Sequence, residues 1–290
     1  MDCQADSVTS QHFHPCFSIR VSGSLESTIV THRPIPPKSR QHAPKFRDAL
    51  HRELQAKAFS SEVDDYHRVR PRYPEQVFSL IPQATRIIDV GCGTGIFSEQ
   101  LAQAFPHAKV IGSDLSKEML TQFRHHHQLP CIQAKAEALG LVDASVDLIS
   151  CAQTWHWLDP VAASSEFARV LRPDGVVVLL WNTLDVAVPW VHRLTRITHA
   201  GDTLAEGFVP NIGKEFAIER TLRCRFSQTL PVADLHTLMH TRSYWLRASP
   251  NTRAKMTSNL DWYIDHLGLD PEGEVTLPYR HDAFVLRRRA

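Results

Sequence analysis

Short apolar runs alternate with helix-like segments between residues 85 and 182. Each run has the length of a buried strand, and the intervening segments space their apolar residues three or four positions apart, as helices with one buried face do. The runs predicted as strands are 86–90, 109–113, 131–134, 146–151 and 175–181. The segments predicted as helices are 95–105, 117–127 and 161–171. This alternation predicts a parallel sheet covered on both faces, which binds ligands at the carboxyl ends of its strands.

The pattern changes after residue 182. Residues 223–230 and 275–288 are predicted as two final strands, and 232–246 and 251–267 as helices. The expected fold class is therefore α/β, with a Rossmann-like, doubly wound, mostly parallel seven-stranded sheet and helices on both faces. Segment 184–270 is expected to contribute a helical lid on the substrate side.

The first 44 residues are rich in Ser, Thr, His and Pro and show no lasting period. Such a composition favours a disordered N-terminal extension over residues 1–44. An organelle transit peptide is the alternative, although Asp2, Asp6 and Glu26 are unusual in one. A single domain is expected over residues 45–290, beginning with a helix at 46–58.

Composition narrows the function classes. The 32 basic and 31 acidic side chains give a net charge of +1, without the basic excess that phosphate contacts require, so no nucleic-acid partner is expected. The six cysteines form no C-x-x-C pair, which indicates reduced thiols in a cytoplasmic protein. No apolar stretch approaches the ~20 residues that span a bilayer, so no membrane association is expected. No metal site is predicted, because the adjacent side chains of His125, His126 and His127 point in different directions on a helix.

The strongest chemical signal is the loop that follows the first predicted strand, Asp89-Val90-Gly91-Cys92-Gly93-Thr94-Gly95. Glycines allow a tight turn and a close approach to a ligand. The spacing is G-x-G-x-G, with Ile96 where a dinucleotide fingerprint places its third glycine. A phosphate-binding lysine is also missing from the loop. An NAD-dependent dehydrogenase is therefore disfavoured.

Asp114 ends the second predicted strand, nineteen positions after Gly95. An acidic residue about 20 positions beyond a glycine loop is well placed to accept hydrogen bonds from ribose hydroxyls. Ser116 is the better-placed N-cap for the following helix. Asp114 is therefore assigned to ligand binding.

The order of these motifs resembles the class I S-adenosylmethionine-dependent methyltransferases. The resemblance implies that the cofactor is S-adenosyl-L-methionine and that Asp89 interacts with its amino group, directly or through water. It also implies that the loop at positions 91–95 packs against the methionine part and that Asp114 holds the ribose. The implied cofactor-binding residues are Asp89, Gly91, Cys92, Gly93, Gly95, Asp114, Leu115, Met119, Ala136, Glu137 and Gln153.

A narrower resemblance joins the chain to the small-molecule branch that includes the trans-aconitate methyltransferases (methyltransferase type 11). It rests on Tyr66 with Arg70-Pro71-Arg72-Tyr73-Pro74, on His156-Trp157, and on Val275-Thr276-Leu277-Pro278-Tyr279-Arg280. The substrate-pocket residues expected from this branch are Tyr66, Arg70, Trp155 and Trp157. His156 is the candidate general base, and simple shaping of the pocket is its alternative role.

The function expected is methyl transfer to a small molecule, with a carboxylate or a hydroxyl as acceptor. A carboxylate would need no base, whereas a hydroxyl would. Two alternatives stay open: an RNA or protein methyltransferase on the same fold, and a protein that binds the cofactor without catalysis. The oligomeric state is not assigned.

Overall fold

A computed structural model describes residues 36–44, 48, 65–200 and 204–289. The predicted helix at 46–58 and most of the predicted extension lie outside these residues. Residues 36–44 contain no helix or strand. They form hydrogen bonds to later parts of the chain: Arg196 donates to the carbonyl of Pro37 over 2.7 Å, and the N–H of Ala205 donates to the carbonyl of Gln41.

Seven strands form one sheet in the order β3-β2-β1-β4-β5-β7-β6. The first five are parallel, and β7 pairs antiparallel with both β5 and β6. Their bounds are β1 Arg86–Val90, β2 Lys109–Asp114, β3 Cys131–Gln133, β4 Val146–Ala152, β5 Leu171–Leu184, β6 Phe216–Pro231 and β7 Glu274–Arg288. The predicted fold class is thereby confirmed.

Eight α-helices accompany the sheet within the described residues. They are α1 Tyr66–Val69, α2 Ile96–Ala104, α3 Lys117–His126, α4 Pro160–Val170, α5 Pro189–Thr198, α6 Asp234–His240, α7 Ser243–Arg247 and α8 Pro250–His266. Short 3-10 turns cover Glu75–Leu80 and Trp155–Trp157. The Oγ of Ser116 caps α3 by accepting from the N–H of Met119 over 3.1 Å, as the sequence predicts.

Burial explains which strands the sequence revealed in full. Strand β4 and the second half of β5 are covered on both faces, so they read as continuous apolar runs. Strand β6 alternates half-buried and exposed positions at the edge of the sheet. It begins at Phe216, seven residues before the predicted start. The sequence pattern did not reveal this first half, because charged side chains on its exposed face interrupt the apolar run.

The middle of segment 184–270, which was expected to form a helical lid, is a strand of the sheet instead. Strand β6 occupies that part and belongs to the sheet, so only α5 and α6–α8 supply helices. The helix predicted over 232–246 is two helices, because Arg242 adopts an extended backbone between α6 and α7. The apolar faces of α5, α6 and α8 form a core with the outer ends of β6 and β7.

Candidate functional site

The glycine loop follows β1 and leads into α2. Gly91, Gly93 and Gly95 have φ angles of +68°, +55° and +91°, a region that side-chain-bearing residues rarely adopt. A Cβ on Gly91 would lie 2.2 Å from Cγ2 of Thr154. At Gly93 the nearest atom to such a Cβ is Sδ of Met119 at 3.9 Å. Thus Gly91 packs against the chain, whereas Gly93 leaves room for a ligand.

Asp114 joins the loop to the end of β2. Its carboxylate accepts from the N–H of Gly93 over 2.9 Å and from the N–H of Ser116 over 2.8 Å. Burial raises the pKa of Asp114. Because each carboxylate oxygen has two lone pairs, the oxygens retain capacity for ligand hydroxyls.

Asp89 lies under the loop rather than on its surface. Its side chain is 1% exposed, and its two oxygens accept from Oγ of Ser98 over 2.6 Å and from Oγ of Ser150 over 2.7 Å. Burial raises the pKa of Asp89 to about 6 despite these bonds. Asp89 is not among the residues that line the neighbouring cleft, so the loop separates its carboxylate from that space.

Four further residues that the resemblance implies at the cofactor lie in the segments that follow β2 and β3. Met119 and Ala136 are buried and Leu115 is half-buried. Glu137 accepts from the N–H of Asp159 over 3.1 Å, so this carboxylate also joins the β3 end to α4. Cys92 lines the cleft and packs against Leu120 and Phe123, and burial raises the pKa of its thiol.

Two histidines that the sequence analysis did not assign contact the loop. Nε2 of His127 lies 3.0 Å from the carbonyl oxygen of Thr94. Nδ1 of His67 lies 3.3 Å from the side-chain Oγ1 of the same threonine. The rings of His67 and His126 stack with centroids 4.2 Å apart. His127 thus connects the end of α3 to the glycine loop and His126 connects it to α1, contacts that sequence spacing does not reveal.

A cleft beside the loop adjoins a larger cavity. The cleft is lined by loop residues that include Gly91, Gly93 and Thr94. The larger cavity has a volume of about 590 Å³, and Trp157 and Tyr244 are among its lining residues. The residues that line both spaces are Tyr66, Arg70, Gln153, Asn182 and Arg242. A group at this junction would face both ligands of a transfer reaction.

Arg70 and Arg242 place two guanidinium groups at the junction. Arg70 donates to the carbonyl of Thr241 over 2.7 Å and lies 4.8 Å from the ring centroid of Tyr66. Burial, followed by the charge of Arg70, lowers the pKa of Arg242 to about 10, so it stays protonated at neutral pH. The buried Nε atoms of Arg70 and Arg242 have no hydrogen-bond partner in the described part of the chain.

Gln153 occupies the junction in a strained turn after β4, with φ of +55°. Its amide donates to the carbonyl of Asn182. Oδ1 of Asn182 in turn accepts from Nδ1 of His281 over 2.7 Å, and its amide donates to the carbonyl of Arg72. Gln153 was expected at this site from the sequence. Asn182 and His281 were not, because they meet through β5–β7 pairing that sequence spacing does not show.

The three residues Trp155, His156 and Trp157 form one 3-10 turn with different environments. Trp155 is 5% exposed and donates from Nε1 to the carbonyl of Asn211 over 2.8 Å; it does not line the large cavity, which His156 and Trp157 do. Nδ1 of His156 accepts from Nε1 of Trp181 over 3.2 Å. Burial lowers the pKa of His156 to about 4.

No cluster of three or more His, Cys, Asp or Glu side chains suited to a metal ion occurs among the described residues. None of the described helices is long and apolar enough to cross a membrane.

Comparison with known proteins bears directly on this site. Residues 88–179 match a family model described as a methyltransferase domain. An uncharacterised methyltransferase-like protein of Schizosaccharomyces pombe is 33% identical over 72% of this chain and 86% of its own length. A malonyl-[acyl-carrier protein] O-methyltransferase of Hahella chejuensis is 35% identical over 48% of this chain and 54% of its own.

One solved structure extends the similarity to the fold. It is a candidate type II methyltransferase from Anaeromyxobacter dehalogenans, with a TM-score of 0.58 and 24% identity over 76% of this chain and 97% of that one.

Proposed function

The chain belongs to the class I S-adenosylmethionine-dependent methyltransferases, and from this membership we propose that it methylates a carboxylate oxygen of a small anionic molecule. The observation that carries the proposal is the pair Arg70 and Arg242 at the junction of the cleft and the large cavity. Both side chains are half-buried, their Nε atoms are buried without a partner, and neither pairs with an acid in the described part of the chain. Such cations call for an anionic partner.

The described residues fit the cofactor. Gly93 leaves open space, and Asp114 holds the loop while keeping lone pairs for ribose hydroxyls. Asp89 adds negative charge below the place where the cofactor's ammonium group would lie. Leu115, Met119, Ala136 and Glu137 would surround the adenine, and Cys92 lines the cleft. When bound, S-adenosylmethionine supplies an activated methyl group on a sulfonium.

The large cavity is cationic. Four arginines line it, and none of its described lining residues is Asp or Glu (Arg70, Arg196, Arg242 and Arg247). A carboxylate entering this cavity would exchange water for charge-assisted hydrogen bonds, which are roughly twice as strong as neutral ones. An amine acceptor, which is cationic at neutral pH, would be repelled.

A carboxylate needs no catalytic base, which agrees with the geometry of His156. Tryptophan Nε1 is only a donor, so Nδ1 of His156 must be the accepting nitrogen. The neutral ring then carries its proton on Nε2 and offers a donor, not a base. His156 therefore orients the acceptor, with Tyr66 and Trp157 as neighbouring walls. In the transfer, one carboxylate oxygen forms a bond to the methyl carbon as the bond to sulfur breaks, and the products are a methyl ester and S-adenosylhomocysteine.

One similar protein is named for the same type of acceptor. The Hahella chejuensis relative is an O-methyltransferase. Its name supports oxygen over nitrogen as the accepting atom, although this chain spans only about half of that protein.

The test is transfer of labelled methyl groups from S-adenosylmethionine to matched panels of acids, alcohols and amines of equal size. We expect ester products from acids only. Arg242→Gln should raise the KM for the acid at least tenfold, because a charged hydrogen bond contributes about 1.5–3 kcal/mol. Arg124→Gln, on the exposed face of α3, is the matched control.

Methylation of alcohols or amines alone would overturn the acceptor class. Cofactor binding without any product across all panels would favour the non-catalytic alternative. Methyl transfer to RNA or protein alone would favour the alternative of an RNA or protein methyltransferase on the same fold.

A further inference from the structure

A second, smaller cavity adjoins the large one and differs from it in character. We call it the side chamber. Its own walls include Trp155, Leu158, Phe208 and Pro210. It shares Pro44, His156, Trp181 and Leu204 with the large cavity. A single molecule could therefore extend from one space into the other past these four residues.

The side chamber presents mainly carbon surface. The Nε1 of Trp155 is bonded to the carbonyl of Asn211, and that of Trp181 is bonded to His156, so neither indole requires a polar ligand. The rings of Trp181 and Phe208 meet edge to face, with centroids 5.1 Å apart. Such aromatic walls favour an apolar group.

Its size limits what can enter. The volume is about 190 Å³, and an apolar cavity of about 150 Å³ is enough to bind benzene. A phenyl ring or a short alkyl chain would therefore fit, but a long acyl chain would not fit within the chamber.

We propose that the methyl acceptor is an amphipathic acid, with its carboxylate at Arg70 and Arg242 and a phenyl or short alkyl group in the side chamber. This inference rests on the proposed carboxylate acceptor. It adds the chemical nature of the group at the opposite end of that acceptor. His156 lines both spaces and so lies alongside the acceptor between its two ends. Arg196 and Arg247, on the same cavity, donate to the carbonyls of Pro37 and Ser243, so the acceptor needs no second anionic group to pair with them.

The expected selectivity follows from apolar burial. Each methylene removed from water contributes about 0.8 kcal/mol, which is about a fourfold gain in kcat/KM. The value of kcat/KM should therefore rise from acetate through butanoate to hexanoate or phenylacetate. It should stop rising with longer acids, once the side chamber is full. Succinate, which ends in a second carboxylate, should be a poorer substrate than hexanoate.

The experiment uses the full chain with S-adenosylmethionine and this series of acids. Leu158→Phe narrows the chamber and should lower kcat/KM for phenylacetate at least tenfold while leaving acetate within twofold. Leu158→Ala widens the chamber and should shift the optimum toward longer acids, so the test survives if either variant folds poorly. Val142→Phe, at an exposed position, is the matched control.

A second readout separates this inference from the one on which it rests. Calorimetry measures the binding of phenylacetate and acetate to the protein loaded with S-adenosylhomocysteine. If acids are methylated but the series is flat and Leu158→Phe changes nothing, the side chamber is not an acceptor subsite and the carboxylate proposal stands. If no acid is methylated yet phenylacetate binds and Leu158→Phe abolishes this binding, the chamber stands and the carboxylate proposal falls. Failure of both readouts overturns both.

Discussion

The backbone N–H of Gly93 donates a hydrogen bond to Oδ2 of Asp114 over 2.9 Å. This bond connects the loop after β1 to the end of β2, so the two halves of the cofactor site are held as one unit. Substitution of either residue should therefore affect both loop geometry and ribose binding.

Asp114→Ala should weaken binding of S-adenosylmethionine and S-adenosylhomocysteine by at least tenfold. The variant removes a charged acceptor, and such bonds contribute about 1.5–3 kcal/mol each. Calorimetric titration measures the effect. Asp174→Ala, at an exposed position of β5, should bind normally, and equal binding by both variants would contradict the assignment of Asp114.

Gly91→Ala should destabilise the protein more than Gly140→Ala does. Both glycines have φ of +68°, so both substitutions add a similar backbone strain of about 1–2 kcal/mol. Only the Cβ at 91 would clash, at 2.2 Å from Thr154, whereas nothing lies within 4 Å at 140. Thermal unfolding of the two variants isolates the contribution of the clash; equal losses in Tm would show that Thr154 moves aside without cost.

Asp89→Asn should stabilise the protein at pH 7.5 but weaken cofactor binding. The folded-state pKa of about 6 lies above the ordinary value of 3.8. The folded state therefore binds more protons between these values, and the stability from this group is lost as the pH rises through 6. The cost at neutral pH is at most about 3 kcal/mol.

Urea denaturation at pH 5 and pH 7.5 measures the change. The amide can bond to the hydroxyls of Ser98 and Ser150, so the gain should appear mainly at the higher pH. Asp174→Asn is the control, and a destabilised Asp89→Asn at pH 7.5 would refute the interpretation.

His281→Asn should reduce the loss of folding stability that acidification causes. His281 is fully buried, and burial lowers its pKa from 6.5 to about 4. The unfolded chain therefore binds the proton first, and stability falls as the pH drops from 6.5 toward 4, by up to about 3 kcal/mol. Asparagine can retain the donor that Nδ1 supplies to Asn182.

Equilibrium unfolding at pH 7.5 and pH 5 tests this prediction. The variant should lose less stability between the two values than the wild type does. His107→Asn, at an exposed position, should leave the difference unchanged. The same difference in His281→Asn as in the wild type would rule out His281 as a main source of acid sensitivity.

The fold was predictable because its core strands and glycine turns leave local signals. Buried strands such as β4 appear as apolar runs, and Asp114 has a recognisable distance from Gly95. Residues that meet through long-range pairing leave no such signal. Arg242 enters the site only because the backbone is extended between α6 and α7, and His281 only because β7 pairs with β5. Trp155 was expected in the substrate pocket; it lines the side chamber rather than the large cavity, and its indole N–H is bonded to the carbonyl of Asn211.

Strand β7 has a consequence for the order in which the chain folds. It follows β6 along the chain, yet it lies between β5 and β6 and is, among the described strands, the one that pairs with β6. During synthesis the edge of β5 therefore stays open until residues 274–288 have emerged, and β6 has no strand to pair with before then. Contacts between such distant segments form slowly, and open edges expose nascent chains to aggregation. We expect that the emergence of residues 274–288 limits the yield of active protein, and that ribosome-stalled chains ending before residue 274 remain susceptible to proteolysis within β6.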